Sequence, residues 1–535
     1  MKIKIPLGVL AFLGFGLSVY GQYEKRVGIN TPTPQATLEI AKIELGNLPS
    51  GQVQGVIFPK LETSERNTFT SNAKVGMMIY NLTKKCIDWY NGTQWSCTDG
   101  TQADIPPTVV EVPSSLQIKG TDKRIASVYD ADFLPFTTPT QAANWNTSIP
   151  ADGASETMTI DYQGKLTTSG YEVQIPVVAT GSGTLPAYSV GTWVSPAYTQ
   201  NGVGRMVVLS WGEQSFTTST RWITASVKAL GGDLLVKKLD INGGLGADMS
   251  GNLMASFPLP GTTETFELRA IAAVPDRYFD KKTNTYAGDD ASSSTWAANE
   301  YEHQMLYVPI KGWDGKIWLN MNLGADYAKA GGSDFDLNAA YTKTDHKAYG
   351  SLFQWQRKAD GHELINWTSS TSGTPKYNTP TSALSNSWTN PGSRNFIVGH
   401  GSNYYSWVDI TLNNADTQKD LWQSGQSNNP CPVGYHVPTH NEQIALHNAI
   451  TGQSLGNSSS YSSAMWNEQV LRLPASGFYG YGYGLLSSHS SGGHLWSSEQ
   501  RYSDSSWELS FSSDYSTAGY HKGRAHGYGV RCIKD

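Results

Sequence analysis

The sequence is short of charge. Asp, Glu, Lys and Arg make up 16% of its 535 residues, where a soluble domain usually carries about a quarter. No cluster of Lys and Arg occurs and the formal net charge is −6. The chain therefore lacks the basic track that binds a phosphate backbone, and nucleic acid is excluded as a partner. After the first residues no apolar run approaches the ~20 needed to cross a bilayer as a helix. Cysteine is scarce, with four residues and no Cys-x-x-Cys pair, so neither a metal nor another cofactor is expected. The Gly-rich turns lead into no helix that would make them phosphate loops.

Glycine, serine, threonine and asparagine fill the gap, together with 17 tryptophans and 28 tyrosines. Such surfaces are polar yet largely uncharged, a composition common in secreted β-rich proteins. Met1-Lys-Ile-Lys4 is a basic start, Ile5 to Leu17 an apolar core, and Val19-Tyr-Gly21 a small-residue exit. This pattern predicts a signal peptide over 1–21 and a mature chain that is secreted or on the outer cell surface. Four cysteines in an exported chain predict two disulfides. Cys86 and Cys97 flank a hairpin turning at Asn91-Gly92. Of three formal pairings, proximity and the hairpin favour Cys86 with Cys97 and Cys431 with Cys532.

Residues 22–104 read as an N-terminal β stalk module with too few apolar residues for a comfortable core. Its short strands are punctuated by prolines, and Thr63-Ser-Glu-Arg-Asn67 suggests a helical turn. The stretch resembles the amino-terminal stalk modules of many exported Bacteroidetes proteins, which share the Gly28-Ile-Asn-Thr-Pro-Thr-Pro34 type of start and the Ile79-Tyr-Asn and Trp89-Tyr-Asn-Gly-Thr-Gln-Trp95 type of end. Completion of its core by self-association would make the protein a homo-oligomer. Residues 105–300 alternate apolar and polar positions at 157–162, 171–178, 205–210, 222–228 and 234–241, with Gly-rich turns between. They predict one or two β-sandwich spacer domains, and the Asp/Ser/Thr-rich stretch 280–300 a linker. The overall class is mainly β.

From about 301 the pattern changes. A turn at Asp314-Gly315 leads into a strand, and Pro438-Thr-His-Asn-Glu442 opens a helix with a capping box between Thr439 and Glu442. Lys316 to Leu323, Tyr349 to Trp355, Cys431-Pro-Val-Gly-Tyr-His-Val-Pro-Thr439, Leu473-Pro-Ala-Ser-Gly477, Leu495-Trp-Ser-Ser498 and Tyr528-Gly-Val-Arg-Cys532 resemble, in order, the Fibrobacter succinogenes major paralogous domain. The resemblance covers 301–535 and extends to exported Flavobacteriia proteins that end in this domain. It implies an α+β C-type-lectin-like fold, related to sulfatase-modifying domains. The Glu-Pro-Asn and Trp-Asn-Asp tripeptides of calcium-dependent lectins are missing, and Cys431 and Cys532 read as a structural bridge rather than a redox pair. No catalytic residue is implied.

The candidate ligand-binding residues lie in the Tyr/Ser/Gly/His-rich closing segment, a composition suited to adaptable recognition. They are Tyr479, Tyr481, Tyr483, His489, His494, Tyr502, Tyr515, Tyr520, His521, Arg524 and His526. The Tyr-Gly alternation at 479–484 would place three tyrosines on one strand face as a stacking surface, with packing on another domain as the alternative. Trp318, Trp355, Trp496 and Trp507 read as core. Glu499 and Glu508 could pair as in a glycosidase, but their neighbours favour a hydrogen-bonded role. Asp334 to Asn338 lacks the glycine and distal glutamate of a calcium loop. The bias of 478–529 toward Tyr, Ser, His, Asp and Gly is also what adenine-directed codon diversification leaves. The expectation is a non-enzymatic binding protein or adhesin that recognises a glycan or protein through its C-terminal domain. An exported enzyme on polysaccharide or protein, or a structural envelope or matrix component, is the alternative.

Overall fold

The computed structural model describes residues 27–29, 38–40, 57–68, 70–84, 86–97, 104–133, 158–241, 249–278, 303–376, 380–393, 395–399, 405–409, 420–453, 459–482 and 484–535. The expected signal peptide, the linker-like 280–300 stretch and Tyr483 lie outside the described residues. The protein is mainly β: of the described residues 42% are strand and 9% helix. Two compact units are formed, residues 1–94 and 95–535.

In the first unit Val27–Ile29 runs parallel to Leu38–Ile40. Met78–Asn81 pairs with Lys60–Leu61 on one side and with Cys86–Tyr90 on the other. The expected helical turn is the helix Thr63–Thr68. Its interior is polar: Arg66 donates to Asp88 at 2.6 Å, Asn81 donates to the same carboxylate oxygen at 2.7 Å, and all three are buried. Ile79 is fully buried, but Ile57 and Val75 are 86% and 73% exposed. The cross-strand neighbours Met78 and Trp89 are also exposed, which leaves an apolar outer face.

In the second unit, a five-stranded sheet in the order Tyr188–Val194, Arg205–Trp211, Trp222–Leu230, Tyr171–Ala179, Leu116–Ile118 faces a three-stranded one of Asn252–Pro258, Thr265–Ile271 and Thr121–Ala126. Alternation puts Val207, Leu209, Ile223, Ala225, Val227, Phe257, Phe266 and Leu268 between them. The strands at 158–162, 171–179, 205–211 and 222–230 match the alternating runs of the sequence closely. Residues 108–112, Thr108-Val-Val-Glu-Val112, form no strand despite their β-branched composition.

Contacts tie this sandwich to residues beyond 300. Val274–Tyr278 pairs with His303–Tyr307. Arg124 donates to Pro309 O at 2.9 Å. The Asn338 amide receives Ala126 N–H and donates to Ala126 O, both at 2.9 Å, as a neighbouring strand would. Gln174 exchanges hydrogen bonds with Asn467 O and Gln469 N.

Residues 303–535 contribute a sheet in the order Pro309–Lys311, Ile317–Leu319, Ile533–Lys534, Tyr435–His436. A second runs Phe353–Gln354, Gly527–Tyr528, Phe478–Tyr479, Leu486–Ser487, and a third Ser459–Ser460, Ser516–Gly523, Ser505–Ser512, Gly492–Tyr502. The helix His440–Thr451 carries the expected capping box, with Thr439 Oγ1 accepting Glu442 N–H and Glu442 accepting Thr439 N–H. Cys431 and Cys532 are bridged as expected, with Cα atoms 5.9 Å apart. Cys86 and Cys97 are disulfide-bonded too, so none of the four is a free thiol.

The centre of this region is a group of tryptophans. Trp355 meets Trp388 edge-on at 6.0 Å, and Trp388 meets Trp407 at 5.2 Å. Indole N–H groups of Trp355, Trp407, Trp422 and Trp496 donate to the backbone carbonyls of Ser497, Trp355, Arg357 and Phe353. A buried indole needs such a partner, and these bonds fix each ring's orientation. Trp318, Trp355 and Trp496 are core as predicted.

Candidate ligand-binding face

The tyrosine–glycine stretch does not form the predicted platform. Its strand stops at Tyr479, and the chain turns at once: Gly480 N–H bonds to Leu485 O and Gly484 N–H to Gly480 O, with Gly484 at φ +60°. Glycine at alternate positions serves the turn here, since it weakens an extended strand. Tyr479 is consequently 1% exposed and packs edge-on against Phe396 at 4.0 Å, and burial pushes its phenol up to about 12. Tyr481 turns to a different neighbourhood, 4.5 Å from the His526 ring and 5.4 Å from Tyr405.

Two further candidates are interior. Arg524 is fully buried, lies 4.6 Å over Trp355 and donates to Tyr502 O at 2.8 Å. It braces the tryptophan core by cation–π contact rather than meeting a ligand. His526 is 7% exposed, and its Nδ1 is 2.9 Å from Gly523 O. Burial lowers its pKa to about 4, so it is a neutral ring. His489 is half-buried with Nε2 2.7 Å from Thr371 O.

His494 and Glu508 form a pair, with Nδ1 3.1 Å from Oε2. Glu508 is fully buried, and Phe478, Tyr528 and His526 crowd the His494 ring or each other at 5.2 to 5.9 Å. Glu499 is held elsewhere, accepting the His440 N–H at 2.8 Å. The two glutamates therefore serve separate partners.

The remaining candidates fall into two surface clusters, Tyr502 with His521 and Tyr515 with Tyr520, because the consecutive strand residues Tyr520 and His521 point to opposite faces. Antiparallel pairing sets Trp507 opposite His521, so both lie on one face. The Arg501 guanidinium lies 4.3 Å from the Trp507 ring centre and 4.8 Å from that of Tyr502. His440, first residue of the capped helix, stacks on Trp507 at 3.9 Å and 7°. The His521 edge meets Tyr502 at 5.0 Å. Burial and the Arg501 charge hold His440 down at about 4, so Arg501 brings the stack's positive charge beside a neutral His440 ring. A second run joins Tyr520, Tyr515 and Tyr461 at spacings of 6.0 and 4.8 Å. Tyr461, Tyr502 and Tyr520 are 89%, 51% and 48% exposed.

Trp507 is thus half-exposed rather than core. His440, Arg501 and Tyr461 went unread in the sequence. Only the position of His440 at a recognised helix start hinted at its role. The buried run Gln354 to Glu363 was missed as well. Asp360, His362 and Glu363 bring ligand-type atoms within 4.8 Å of one another. Yet His362 Nε2 accepts Gln354 N–H, Nδ1 faces Asp360 at 2.7 Å, and Arg357 takes the other Asp360 oxygen. These bonds occupy the lone pairs a metal would need. Burial opposes the Asp360 charge, but Arg357 and His362 outweigh it and hold the carboxyl well below its usual range. His436 and His440, at a spacing found in zinc sites, are also bound apart: His436 lies 3.0 Å from Glu442 and 2.8 Å from Asp535. In the segment 334–338, Asp334 pairs with Lys347, and Asp336 accepts from Tyr162 and from Asn338 N–H.

No helix among the described residues is long and apolar enough to cross a membrane. No curated protein and no solved structure matches the chain. Residues 26–109 match the family described as a phage tail like trimerisation region.

Proposed function

We propose that the chain is an exported, surface-displayed binding protein: a self-associating stalk, a β-sandwich body, and a C-terminal region that resembles the Fibrobacter succinogenes major paralogous domain and recognises a glycan. The observation that carries the reading is the stack of half-buried His440 and Trp507 with exposed Arg501, Tyr502 and His521. Flat rings with a cation and imidazole N–H groups at the edge suit a sugar, whose apolar face stacks while its hydroxyls take hydrogen bonds. The lectin-like reading gains support from the pairing of Ile317–Leu319 with Ile533–Lys534 beside a capped helix. Glycan-array binding of the mature protein tests it. Trp507→Ala and Arg501→Ala should each weaken binding at least about tenfold, the scale of a hot-spot contact, with the melting curve preserved. Unchanged glycan binding by both variants would overturn the reading, and capture of a protein alone would move it to a protein ligand.

The stalk reading rests on the match at 26–109 and on the exposed Met78, Trp89, Ile57 and Val75. A small module with a polar interior gains most by covering such a face with copies of itself. Sedimentation of the mature chain should give three copies per particle, and removal of 26–109 should give one. A monomeric mature chain at micromolar concentration would exclude the stalk's role.

A further inference from the structure

A cleft of about 60 Å³ opens where the strand Thr121–Ala126 meets residues 308–341 and 469–472. Lys123, Arg124 and Arg472 line it, together with the amides Asn320, Asn338 and Gln469. Its size suits a few waters or one small polyatomic group. The nearby carboxylates are already engaged. Asp122 pairs with Arg124 at 3.1 Å, and Asp336 accepts from Tyr162 and Asn338. Arg124 is further held by Met249 O and Pro309 O. Lys123 Nζ sits 4.6 Å over the Tyr171 ring, and Arg472 Nε donates to Gln469 O. Among the described residues neither Lys123 nor Arg472 has an ion-pair partner. Two cations therefore share one cleft with no carboxylate of the described residues in ion-pair contact with either.

Two like charges so placed repel each other. Burial, then the like charge of Arg472, lowers Lys123 to about 8, against weaker pulls upward from Asp122 and Asp336. An anion seated between the two would satisfy both, and the Gln469 side-chain amide lines the same cleft to donate to another of its oxygens, whereas the Asn338 amide is held by Ala126 O and Tyr162 Oη.

We propose that this cleft is an oxyanion site that takes one carboxylate or sulfate group, free or carried on an acidic saccharide. It is separate from the aromatic face and stands or falls independently of the glycan reading. Calorimetric titration of the mature protein with inorganic sulfate tests it, at constant ionic strength in chloride. Three arms follow: sulfate, an oligosaccharide of uronic acid, and its neutral counterpart. Saturable sulfate binding is expected at pH 6.5. It should weaken progressively as the pH rises through about 8, by about tenfold per unit once Lys123 is mostly neutral. Lys123→Met and Arg472→Gln should each abolish it. Tighter binding of the acidic oligosaccharide than of sulfate would identify the source as a polysaccharide, and sulfate binding alone a free anion. Absence of saturable binding in all arms, or binding insensitive to both pH and substitution, would overturn the proposal. The pH series on the unmodified protein keeps the test decisive even where a variant folds poorly.

Discussion

Replacing Cys431 and Cys532 together by serine lowers the stability of the C-terminal region by about 4 to 5 kcal/mol, the entropy that a cross-link over ~100 residues removes from the unfolded chain. The two positions are 101 residues apart. Both are buried, at 5% and 0%, and the Cys532 carbonyl accepts Leu319 N–H at 3.0 Å. The bridge thus ties the chain ahead of the capped helix to the strand that closes the sheet. Urea unfolding followed by near-ultraviolet dichroism should show the midpoint fall and the slope rise, because the unfolded chain freed of the cross-link exposes more surface. A loss under about 1 kcal/mol would mean that the native contacts around the bridge, not the constraint it places on the unfolded chain, hold the region together.

Glu468→Ala should cost a similar amount, about 3 to 5 kcal/mol, because it leaves one partner of a buried ion pair uncompensated. Lys343 Nζ lies 2.7 Å from Glu468 Oε1, with side-chain exposures of 5% and 0%. The carboxylate also accepts the N–H groups of Val470, Leu471 and Leu473. Burial lowers the Lys343 pKa despite Glu468. For Glu468 burial acts upward, but Lys343 and the N–H donors outweigh it and hold the pKa below its ordinary value. The sign for acid follows: a carboxyl depressed in the folded state contributes stability above its unfolded pKa, near 4.3. That stability is lost as pH falls from there toward the folded value. Denaturant melts at descending pH should therefore converge for the parent and Glu468→Ala below pH 4. Parallel curves throughout would show that the charge of Glu468 contributes nothing. The same three N–H contacts shape the 469–472 loop that presents Arg472 to the oxyanion cleft, so Glu468→Ala should weaken sulfate binding too.

The fold was legible where a single periodicity sufficed. The runs at 171–179, 205–211 and 222–230 alternate cleanly because one sheet face is buried, and the helix at 440 announced itself through Thr439 and Glu442. Tyr479 misled because alternation with glycine looks the same whether the chain stays extended or turns, and only the Gly484 backbone distinguishes the two. Arg524 could not be read as interior, since its burial depends on Trp355 and Trp388, both more than a hundred positions away. The exposed face was half legible. Tyr502 and His521 were named from composition, but Arg501 and His440 join them through strand register and the docking of the helix start against Glu499. Those are long-range facts that no local pattern encodes.

The pairing of Ile317–Leu319 with Ile533–Lys534 has a consequence for how the protein reaches its native state. Arg531 donates to Leu319 O across a separation of 212 positions. Contacts so distant in sequence close late, because the intervening chain must be gathered first. Until the closing strand arrives, the edge of Ile317–Leu319 stays open to any other extended segment. The C-terminal region should therefore remain unfolded through most of its synthesis, a delay that would suit the export proposed for the chain.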